Sequence, residues 1–318
     1  MGKNKIAILD LGTNTFHLMI ASLTERGCQI VLKEKSYVKI GEDGISRGII
    51  TKPAKSRAIK AVEWFAEILK DYSVEEVIAY GTSALRNAAN GRALIRDIYN
   101  ATGIRINLLS GSQEAKYIYR GVRQAVDLGD SISLIMDIGG GSVEFILGNA
   151  HTILWKKSFE IGAQRLLDKF HRSDPVTRND LTRLNHYLEQ ELKPLVTAVE
   201  TARPKTLIGS SGTFDTLSDI YALKKNFRKD PARTERVIPM KAFLEIHEEI
   251  VIRSREERLA MPGMAEMRAD MIVMASSLVH FAVTRLGITR MKASSYSLQE
   301  GILFSLIDDR RQAGLLSA

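Results

Sequence analysis

Two distant segments of this sequence repeat one pattern of apolar, acidic and small residues. Residues 6–21 read IAILDLGTNTFHLMIA, and residues 133–148 read SLIMDIGGGSVEFILG. When Asp10 is aligned with Asp137, both flanks stay apolar and the small residues of the two turns coincide. Each copy is typical of a buried strand that ends in Asp, a tight turn and a second strand. The repeat therefore favours two related domains, each opened by one copy, over a chance likeness of two apolar hairpins.

Strand-like and helical segments alternate along the rest of the chain. After the first copy a third strand is expected around 30–40. A helix is expected next, with Thr51 as its N-cap and Pro53 in its first turn. Strands and helices then alternate as far as a helix that opens near Ser112. The second copy is followed by helices at 162–170 and 177–202 and by a buried strand at 206–208. Alternation of this kind predicts an α/β architecture.

The repeat and the alternation together predict two α/β domains. The first is expected to run from 1 to 125 and the second from 126 to 301. Within the second, further helical segments are expected at 239–260 and 267–286. The last helix, 302–312, carries apolar residues at helical spacing, and we expect it to pack back on the first domain.

The composition is that of an ordinary globular protein with an excess of basic residues. The 318 residues are 45% hydrophobic and carry a formal net charge of +8, which attracts polyanions without choosing among them. No stretch reaches the ~20 apolar residues of a membrane span, and no nucleic-acid-binding signature accompanies the charge. The single cysteine, Cys28, excludes an internal disulfide and favours the cytoplasm. Because residues 1–5 lead directly into a strand, we expect no targeting leader.

The turn of each repeat has the residue types that a phosphate-binding loop needs. Backbone N–H groups must converge on the anion, and glycines or small residues let the chain approach it. A tight hairpin would explain either turn alone, but two matched turns favour phosphate. The predicted phosphate-binding residues are Gly12, Thr13, Asn14 and Thr15 in the first turn, and Gly139, Gly140, Gly141 and Ser142 in the second.

An acidic residue precedes each turn, where it would repel a phosphate group. Asp10 and Asp137 suit this position if a divalent cation with its waters, expected to be Mg²⁺, lies between carboxylate and phosphate. Glu144, just inside the second repeat, is a candidate for holding a metal-bound water, with a solvent-facing position as the alternative. The predicted metal site is therefore Asp10, Asp137 and Glu144, with Mg²⁺ or another divalent cation as cofactor.

A third turn of small residues follows the buried strand at 206–208. It reads Gly-Ser-Ser-Gly-Thr from 209 to 213. Two interpretations stay open here: the turn approaches a nucleotide or further phosphates, or it packs tightly on the helix that follows. The candidate phosphate-binding residues are Gly209, Ser211, Gly212 and Thr213.

Two charged residues are candidates for catalysis. The spacing of Ser110 and Gln113 predicts a capping box, which puts Glu114 in the first turn of a helix. The helix dipole alone explains a carboxylate there, and the functional alternative is a general base that orients a water for in-line attack on phosphorus. Arg86 follows a strand end. It either neutralises charge on a transferred phosphoryl group or simply begins a solvated helix.

Seven motifs, in this order along nearly the whole chain, carry a resemblance to a known family. They are DLGTNTFHL (10–18), GTSALR (81–86), SGSQEA (110–115), DIGGGSVE (137–144), GSSGT (209–213), PGMAEMRAD (262–270) and LQEG (298–301). Together they resemble the exopolyphosphatase/guanosine pentaphosphate phosphatase (Ppx/GppA) family, within the actin, sugar-kinase and heat-shock ATPase fold group. The resemblance implies two ribonuclease-H-like domains that face each other across a cleft.

The resemblance also implies a reaction and residue roles. Family members remove the terminal phosphate of inorganic polyphosphate, and some convert guanosine pentaphosphate (pppGpp) to the tetraphosphate, with Mg²⁺. By this resemblance Glu114 would activate the attacking water, Arg86 would contact phosphate, and Glu144 would take part in metal and water binding. Residues 10–14 would form the first phosphate loop and residues 137–142 the second.

We therefore expect a cytoplasmic exopolyphosphatase that hydrolyses the terminal phosphoanhydride bond of inorganic polyphosphate. A pppGpp 5′-phosphohydrolase and a non-catalytic sensor of an alarmone or polyphosphate are the alternatives, and a kinase or ATPase is a further rival within the fold group. Neither nucleic acid nor a membrane is expected as a partner, and a homodimer is left open. The basic run from Lys224 to Arg236 either follows a long anionic substrate or is a solvated loop.

The chain departs from the family pattern in three places. Where the family often has Asp-Gly-Ala-Leu-Arg-Glu-Gly, residues 295–301 read Ser-Tyr-Ser-Leu-Gln-Glu-Gly, so an acidic residue and a glycine are replaced where nucleotide contacts are expected. Serines common in the first loop are threonines here, which keeps the hydroxyl groups. Longer members carry further helical domains after this point, so short polyphosphate chains are the expected substrates.

Overall fold

The computed structural model divides into two compact units. The residues that it describes are 5–24, 27–227, 230 and 232–314. The first unit consists of Met1–Gly121 and Leu298–Ala318, and the second of Val122–Ser297. Each unit has one mixed β-sheet with helices packed on it, so the predicted α/β class is confirmed.

A five-stranded sheet lies at the centre of the first unit. Its strands are β1 (Lys5–Leu11), β2 (Phe16–Thr24), β3 (Gly27–Ser36), β4 (Glu76–Gly81) and β5 (Ile106–Leu108). They lie in the order β3-β2-β1-β4-β5. The first three form an antiparallel meander, and β4 and β5 run parallel to β1. The carboxyl ends of β1 and β4 therefore meet at one edge of the sheet, next to the first predicted turn.

Four helices follow in this part of the chain. They are α1 (Lys52–Asp71), α2 (Ser83–Asn87), α3 (Gly91–Thr102) and α4 (Gly111–Ala125). Helix α1 begins as predicted, because the Thr51 hydroxyl accepts a hydrogen bond from Ala54 N and Pro53 occupies the first turn, where no N–H is needed. Its apolar face, with Val62 and Phe65 fully buried, covers one side of the sheet.

A six-stranded sheet lies at the centre of the second unit. Its strands are β6 (Ser133–Ile138), β7 (Val143–Gly148), β8 (Ile153–Phe159), β9 (Thr206–Ser210), β10 (Glu235–Ile238) and β11 (Arg290–Ser294). They lie in the order β10-β11-β9-β6-β7-β8. Strands β6 to β8 form an antiparallel meander, β9 is parallel to β6 and β11 to β9, and β10 adds an antiparallel edge. Apart from β10, this is the plan of the first sheet, which agrees with the ribonuclease-H-like fold that the resemblance implies.

Seven α-helices lie in this unit among the described residues. They are α5 (Ala163–Phe170), α6 (Arg178–Glu191), α7 (Lys193–Ala202), α8 (Ser211–Lys224), α9 (Met240–Ile252), α10 (Arg255–Leu259) and α11 (Met271–Arg285). Nearly every side chain of α11 is buried, which is expected of a helix that is apolar on all sides. It packs against α5, α6 and α9 and is the central helix of the core of this unit.

Two predicted helices are each divided in the structure. The helix predicted at 177–202 ends at Glu191, and α7 begins with Pro194 in its first turn, because proline has no N–H to continue the preceding helix. The helix predicted at 239–260 is interrupted after Ile252. Ser254 then caps α10 in a capping box with Glu257, and such a box begins a new helix rather than continuing the old one.

The last helix, α12 (Leu298–Gln312), belongs to the first unit. It packs on β1, and the Gln299 side-chain amide donates to the Ile8 carbonyl at 2.9 Å. Of the predicted basic run, residues 228, 229 and 231 lie outside the described residues. No helix among the described residues is both long enough and apolar enough to cross a membrane.

Candidate functional site

The first predicted turn connects β1 to β2 and is closed by a hydrogen bond from Gly12 N to Thr15 O at 3.1 Å. The carbonyls in its middle are held by a neighbouring loop. Gly41 N donates to Thr13 O at 3.1 Å, and Lys39 N donates to Asn14 O at 2.9 Å. The loop is itself held by the Arg57 guanidinium, which donates to the carbonyls of Val38 and Lys39.

The second predicted turn, between β6 and β7, is closed in the same way, by Gly139 N donating to Ser142 O at 3.0 Å. Here the start of α5 takes the place of the loop. Its backbone N–H groups at Gly162, Ala163 and Gln164 donate to the carbonyls of the three glycines, at 3.2, 2.9 and 3.0 Å. The Arg165 guanidinium adds a bond to the Gly141 carbonyl at 2.9 Å.

The hydrogen bonds to the carbonyls of the two turns also fix the direction of the N–H groups in those turns. In a planar trans peptide the C=O of one residue and the N–H of the next point in opposite directions. Because the middle carbonyls of each turn point toward the supporting loop or helix, the following N–H groups point away from it. Successive N–H groups presented in this manner form an anion-binding concavity. The two turns thus share the geometry that phosphate binding requires.

A row of polar side chains crosses the second sheet at the carboxyl end of β6. Asp137 on β6 is directly opposite Glu144 on β7, and the next strands on either side contribute Ser210 and Ser158. The Ser210 hydroxyl donates to Asp137 Oδ2 at 2.5 Å, and the Ser158 hydroxyl donates to Glu144 Oε1 at 2.6 Å. Asp137 is 6% exposed and Glu144 is 1% exposed. Two carboxylates therefore lie side by side in a buried setting, each with a serine hydroxyl.

Two further hydroxyls reach Asp137 from outside the row. The Ser211 hydroxyl lies 2.8 Å from Oδ1 and 2.7 Å from Oδ2, and the Ser297 hydroxyl donates to Oδ2 at 2.5 Å. Ser211, the first residue of α8, has a φ of 69°. A non-glycine residue in the left-handed region costs of order 1 kcal/mol. The bond to the carboxylate helps to hold this conformation, so the strain is stored beside the second turn.

A corresponding row crosses the first sheet. Asp10 is directly opposite His17 on β2 and beside Tyr80 on β4, and His17 is opposite Lys35 on β3. Burial, followed by interaction with the Tyr117 hydroxyl, raises the pKa of Tyr80 above its ordinary value. His17 occupies in this repeat the position that Glu144 occupies in the other. The two rows therefore match in position but differ in charge.

The two predicted catalytic residues lie in contact within the first unit. Arg86 Nη1 is 3.0 Å from Glu114 Oε2 and also donates to the Leu109 carbonyl at 2.7 Å. The predicted capping box is present, with Ser110 N donating to Gln113 Oε1 and Gln113 N donating to the Ser110 hydroxyl. Glu114 is therefore in the first turn of α4, 6% exposed. The structure thus supplies a buried carboxylate with a fixed cationic neighbour.

In the third turn, at 209–213, several residues are in close packing contacts. A Cβ atom at Gly209 would lie 2.0 Å from the Phe214 ring, so this glycine makes room for the start of α8. The Arg268 guanidinium fills the space where a side chain at Gly212 would be. Thr213 is buried, and the Ser211 hydroxyl faces Asp137. Tight packing on the following helix is thus observed for Gly209, whereas Arg268 brings a positive charge to the turn.

The structure brings together Asp137, Glu144 and Ser211, which were all predicted as site residues. Their partners Ser158, Ser210 and Ser297 were not predicted. For Ser210 a signal existed, since it ends a buried strand beside the strand of Asp137. Ser158 and Ser297 carry no local signal, because strand register and the chain entry into α12 put them in place.

The carboxylate oxygens of Asp137 and Glu144 are ligands of the kind that a magnesium ion prefers. Adjacent like charges repel, and more strongly when buried, so a divalent cation would relieve this pair. Among the described residues no group of three or more His, Cys, Asp or Glu side chains could hold a metal ion. Mg²⁺ often uses only one or two protein carboxylates and completes its shell with water and substrate phosphate oxygens. A site of two carboxylates that water completes, and to which substrate oxygens can be added, is therefore compatible with this unit.

Comparison with known proteins connects this geometry to one group of enzymes. The chain is 27% identical over 319 residues to exopolyphosphatase 2 of Mycobacterium tuberculosis, covering 96% of this chain and 99% of that protein. It is 25% identical over 306 residues to the guanosine-5′-triphosphate,3′-diphosphate pyrophosphatase of Vibrio atlanticus, covering 96% of this chain and 60% of that protein.

Solved structures agree with the sequence comparisons. The crystal structure of an exopolyphosphatase from Cytophaga hutchinsonii matches with a TM-score of 0.93 and 42% identity, covering 96% of this chain and 98% of that chain. A Ppx/GppA family member from Aquifex aeolicus has the same fold, with a TM-score of 0.78, 23% identity, and coverage of 97% and 99%. The sequence profile described as the Ppx/GppA phosphatase family matches residues 19–310. This protein, with its two matched turns, therefore belongs to the Ppx/GppA phosphatase family.

Proposed function

We propose that this protein is an exopolyphosphatase that hydrolyses the terminal phosphoanhydride bond of inorganic polyphosphate. The observation that carries the proposal is the matched pair of turns. Backbone N–H groups of a neighbouring loop or helix bond the carbonyls of each turn, so that the N–H groups of the turn itself are available to phosphate oxygens. Similarity to the exopolyphosphatases of Mycobacterium tuberculosis and Cytophaga hutchinsonii supports the substrate class. A net charge of +8 favours a polyanion over a neutral substrate.

The two turns bind phosphate groups through their backbone N–H groups and hydroxyls. In the first turn the donors are the N–H groups of Asn14 and Thr15 and the hydroxyls of Thr13 and Thr15. In the second turn they are the N–H groups that follow the three glycine carbonyls. The N–H groups of both turns are fixed before substrate arrives, by the loop at 39–41 and by the first turn of α5. Donors that are already oriented need no reorganisation during the reaction, which is why such sites stabilise phosphoryl transfer well.

Glu114 orients the attacking water and accepts a proton from it as the oxygen bonds to the terminal phosphorus. The bond from that phosphorus to the bridging oxygen breaks, and the shortened polyphosphate leaves with the electron pair. Arg86 stabilises negative charge on the phosphoryl oxygens and, through its contact with Glu114, keeps the carboxylate in one orientation. Both side chains are largely buried, which strengthens these interactions.

Asp137 and Glu144 would hold the divalent cation, for which we propose Mg²⁺. When bound, the cation supplies positive charge that neutralises phosphate oxygens and makes the acidic row compatible with an anionic substrate. The serine hydroxyls of the row orient the two carboxylates. Asp10 occupies the matching position of the first repeat, and its part in metal binding stays a prediction.

A guanosine pentaphosphate phosphohydrolase is the second candidate function. The observation in its favour is the similarity to the Vibrio atlanticus pyrophosphatase, of which this chain spans 60%. Both candidate substrates end in a phosphoanhydride, so the same turns and the same Glu114 would serve either one. The two candidates differ in whether the protein also recognises a nucleoside.

The proposal is tested by comparing phosphate release by the wild type and by Glu114→Gln. Substrates are short and long polyphosphate, pppGpp and ATP, each with Mg²⁺ and with chelator. We expect release from polyphosphate in Mg²⁺ and a loss of at least about 10²-fold in kcat for the variant, because general-base catalysis contributes at least that much. Glu63→Gln, on the exposed side of α1, is the matched control and should behave as the wild type.

Each other outcome has a defined meaning. If pppGpp is hydrolysed and polyphosphate is not, the second candidate replaces the first. If the wild type binds these ligands but releases no phosphate from any of them, the protein is a sensor and the catalytic proposal is wrong. Retention of full activity by Glu114→Gln would remove Glu114 from the mechanism.

A further inference from the structure

We propose that Ser297 is a positioning residue that holds one oxygen of Asp137, so that the other oxygen is directed to the divalent cation. This inference rests on the proposed function, since it assigns a partner to a residue of the proposed cation site. Ser297 is the residue just before α12, and it reaches Asp137 across 160 positions of sequence. No local feature of the sequence indicates the contact, which depends on where the chain leaves the second unit.

The hydroxyls around Asp137 are distributed unequally. Oδ2 receives bonds from Ser210 and Ser297 at 2.5 Å each, and it also lies 2.7 Å from the Ser211 hydroxyl. Oδ1 has a single hydroxyl neighbour in this group, Ser211 at 2.8 Å. A carboxylate oxygen offers about two lone-pair sites. Oδ2 is therefore filled by serine hydroxyls, while Oδ1 keeps capacity for a cation or a cation-bound water.

The bonds from serine hydroxyls to Asp137 matter because hydrogen bonds to a metal ligand fix its orientation toward the metal ion. Removal of an outer-shell partner commonly costs 10- to 100-fold in metal affinity. A carboxylate free to rotate would present either oxygen and would repel Glu144, its cross-strand neighbour. Because Oδ2 is bonded both to Ser210 on β9 and to Ser297, the residue before α12, rotation of the Asp137 carboxylate is blocked from two sides.

Ser297 lies in a short segment with two other serines, Ser294 and Ser295. The neighbouring serines have other partners: Ser294 donates to the Tyr296 carbonyl at 2.7 Å, and Ser295 donates to the Thr234 carbonyl at 3.1 Å. The contact with Asp137 is therefore specific to position 297 within this serine-rich segment.

The direct test measures cation binding in the absence of substrate. Mn²⁺, which prefers the same oxygen ligands as Mg²⁺, is titrated into the full-length protein and free Mn²⁺ is followed by its electron paramagnetic resonance signal. We expect Ser297→Ala to raise the Mn²⁺ dissociation constant about 10-fold. Ser297→Thr keeps the hydroxyl and should bind close to wild type. Ser295→Ala is the matched control and should not change binding.

A kinetic readout separates positioning from a general loss of structure. The Mg²⁺ concentration for half-maximal polyphosphate hydrolysis should rise in Ser297→Ala, while the KM for polyphosphate at saturating Mg²⁺ stays at the wild-type value. A merely structural role would lower activity without moving the Mg²⁺ dependence. Equal Mn²⁺ affinity of wild type and Ser297→Ala would overturn the inference.

Failure of this inference can be told from failure of the proposed function. Asp137→Asn serves as the reference for loss of the site. If the wild type binds Mn²⁺, Asp137→Asn does not, and Ser297→Ala binds normally, only the role of Ser297 is wrong. If the wild type neither binds Mn²⁺ nor needs a divalent cation for hydrolysis, the proposed cation site and the role of Ser297 both fall.

Discussion

Arg258 has no exposed surface, and its guanidinium makes three polar contacts. Nη2 is 2.8 Å from the Asp174 carboxylate, Nε donates to the Ala269 carbonyl at 2.7 Å, and Nη1 donates to the Arg253 carbonyl at 2.6 Å. Burial by itself would raise the pKa of Asp174, but bonds from Arg255 N and Arg258 lower it. The residue therefore joins the segment after α5 to the segments on both sides of α10.

At the residue scale we predict a large loss of stability for Arg258→Met. Arg258 is itself fully buried, so its replacement leaves the carbonyls of Ala269 and Arg253 without their donor and takes the cation away from Asp174. We expect a total cost of about 3 kcal/mol. Urea unfolding followed by circular dichroism measures the loss. Arg255→Met is the control, because the exposed pair of Arg255 with Asp270 should contribute less than about 1 kcal/mol. Equal losses for the two variants would contradict the prediction.

At the scale of single elements, the first turn of α5 has an unusual function for a helix start. Helix N-termini commonly bind anions directly, but here the N–H groups of Gly162, Ala163 and Gln164 bind the carbonyls of the second turn. The helix thus orients the turn, whose N–H groups are the ones proposed to bind phosphate. The approach is close: a Cβ atom at Gly162 would lie 2.4 Å from the backbone of Gly140.

We therefore predict that Gly162→Ala displaces the second turn. Overpacking against backbone cannot be relieved by a rotamer change, so α5 must shift, at a cost of about 1–3 kcal/mol. The KM for polyphosphate should rise about 10-fold or more while the protein still folds, as judged by circular dichroism and phosphate release.

Gly103→Ala provides the comparison for this variant. Gly103 ends α3 with a φ of 73° and open space around it, so alanine should cost about 1 kcal/mol without touching either turn. Loss of activity in Gly103→Ala to the same degree would attribute the effect to stability and not to the turn.

At the scale of the whole molecule, two units share one plan of strands but differ in what their helices bury. In the second unit His247 of α9 and His280 of α11 are stacked, with ring centroids 4.5 Å apart, and His247 Nδ1 is 3.1 Å from the Ser276 hydroxyl. Burial, and then the neighbouring His280, lowers the pKa of His247 to about 3. Burial also lowers the pKa of His280.

This pair predicts a loss of stability in mild acid. Unfolded histidine has a pKa of about 6.5, so between pH 6.5 and 3 the unfolded chain binds more protons than the folded one. The free energy of unfolding therefore has its full value above pH 6.5 and falls as the pH drops, by at most about 1.4 kcal/mol per pH unit per group. Urea unfolding of wild type at pH 7 and pH 5 measures the decrease.

His247→Gln should reduce this pH dependence, because one of the buried groups no longer gains a proton on unfolding. His151→Gln, at an exposed histidine paired with Asp130, is the control and should keep the wild-type dependence. If His247→Gln and the wild type lose the same free energy between pH 7 and pH 5, the stacked pair is not the source.

Features that depend on nearby residues could be predicted from the sequence. The strand–turn–strand repeat, the N-cap at Thr51 and the capping box at Ser110 were all found where expected, because hydrogen bonds between neighbours and apolar periodicity act within a few residues. The turn geometry followed for the same reason, since each is closed by a bond from its first to its fourth residue. The division of two predicted helices, before Pro194 and before Ser254, also depends on nearby residues. It was not predicted, because the apolar periodicity continues on both sides of each break.

The partners of the acidic residues were decided by tertiary structure alone. Ser210 and Ser297 lie 73 and 160 positions from Asp137, and Arg86 lies 28 positions from Glu114. Such contacts depend on strand register and on where a helix ends, and register is chosen by burial of whole sheet faces rather than by any one residue. The sequence by itself therefore determined which residues are candidates for the chemistry of this protein, and only the folded chain determined which hydroxyl and guanidinium groups contact them, because those distances are set by packing.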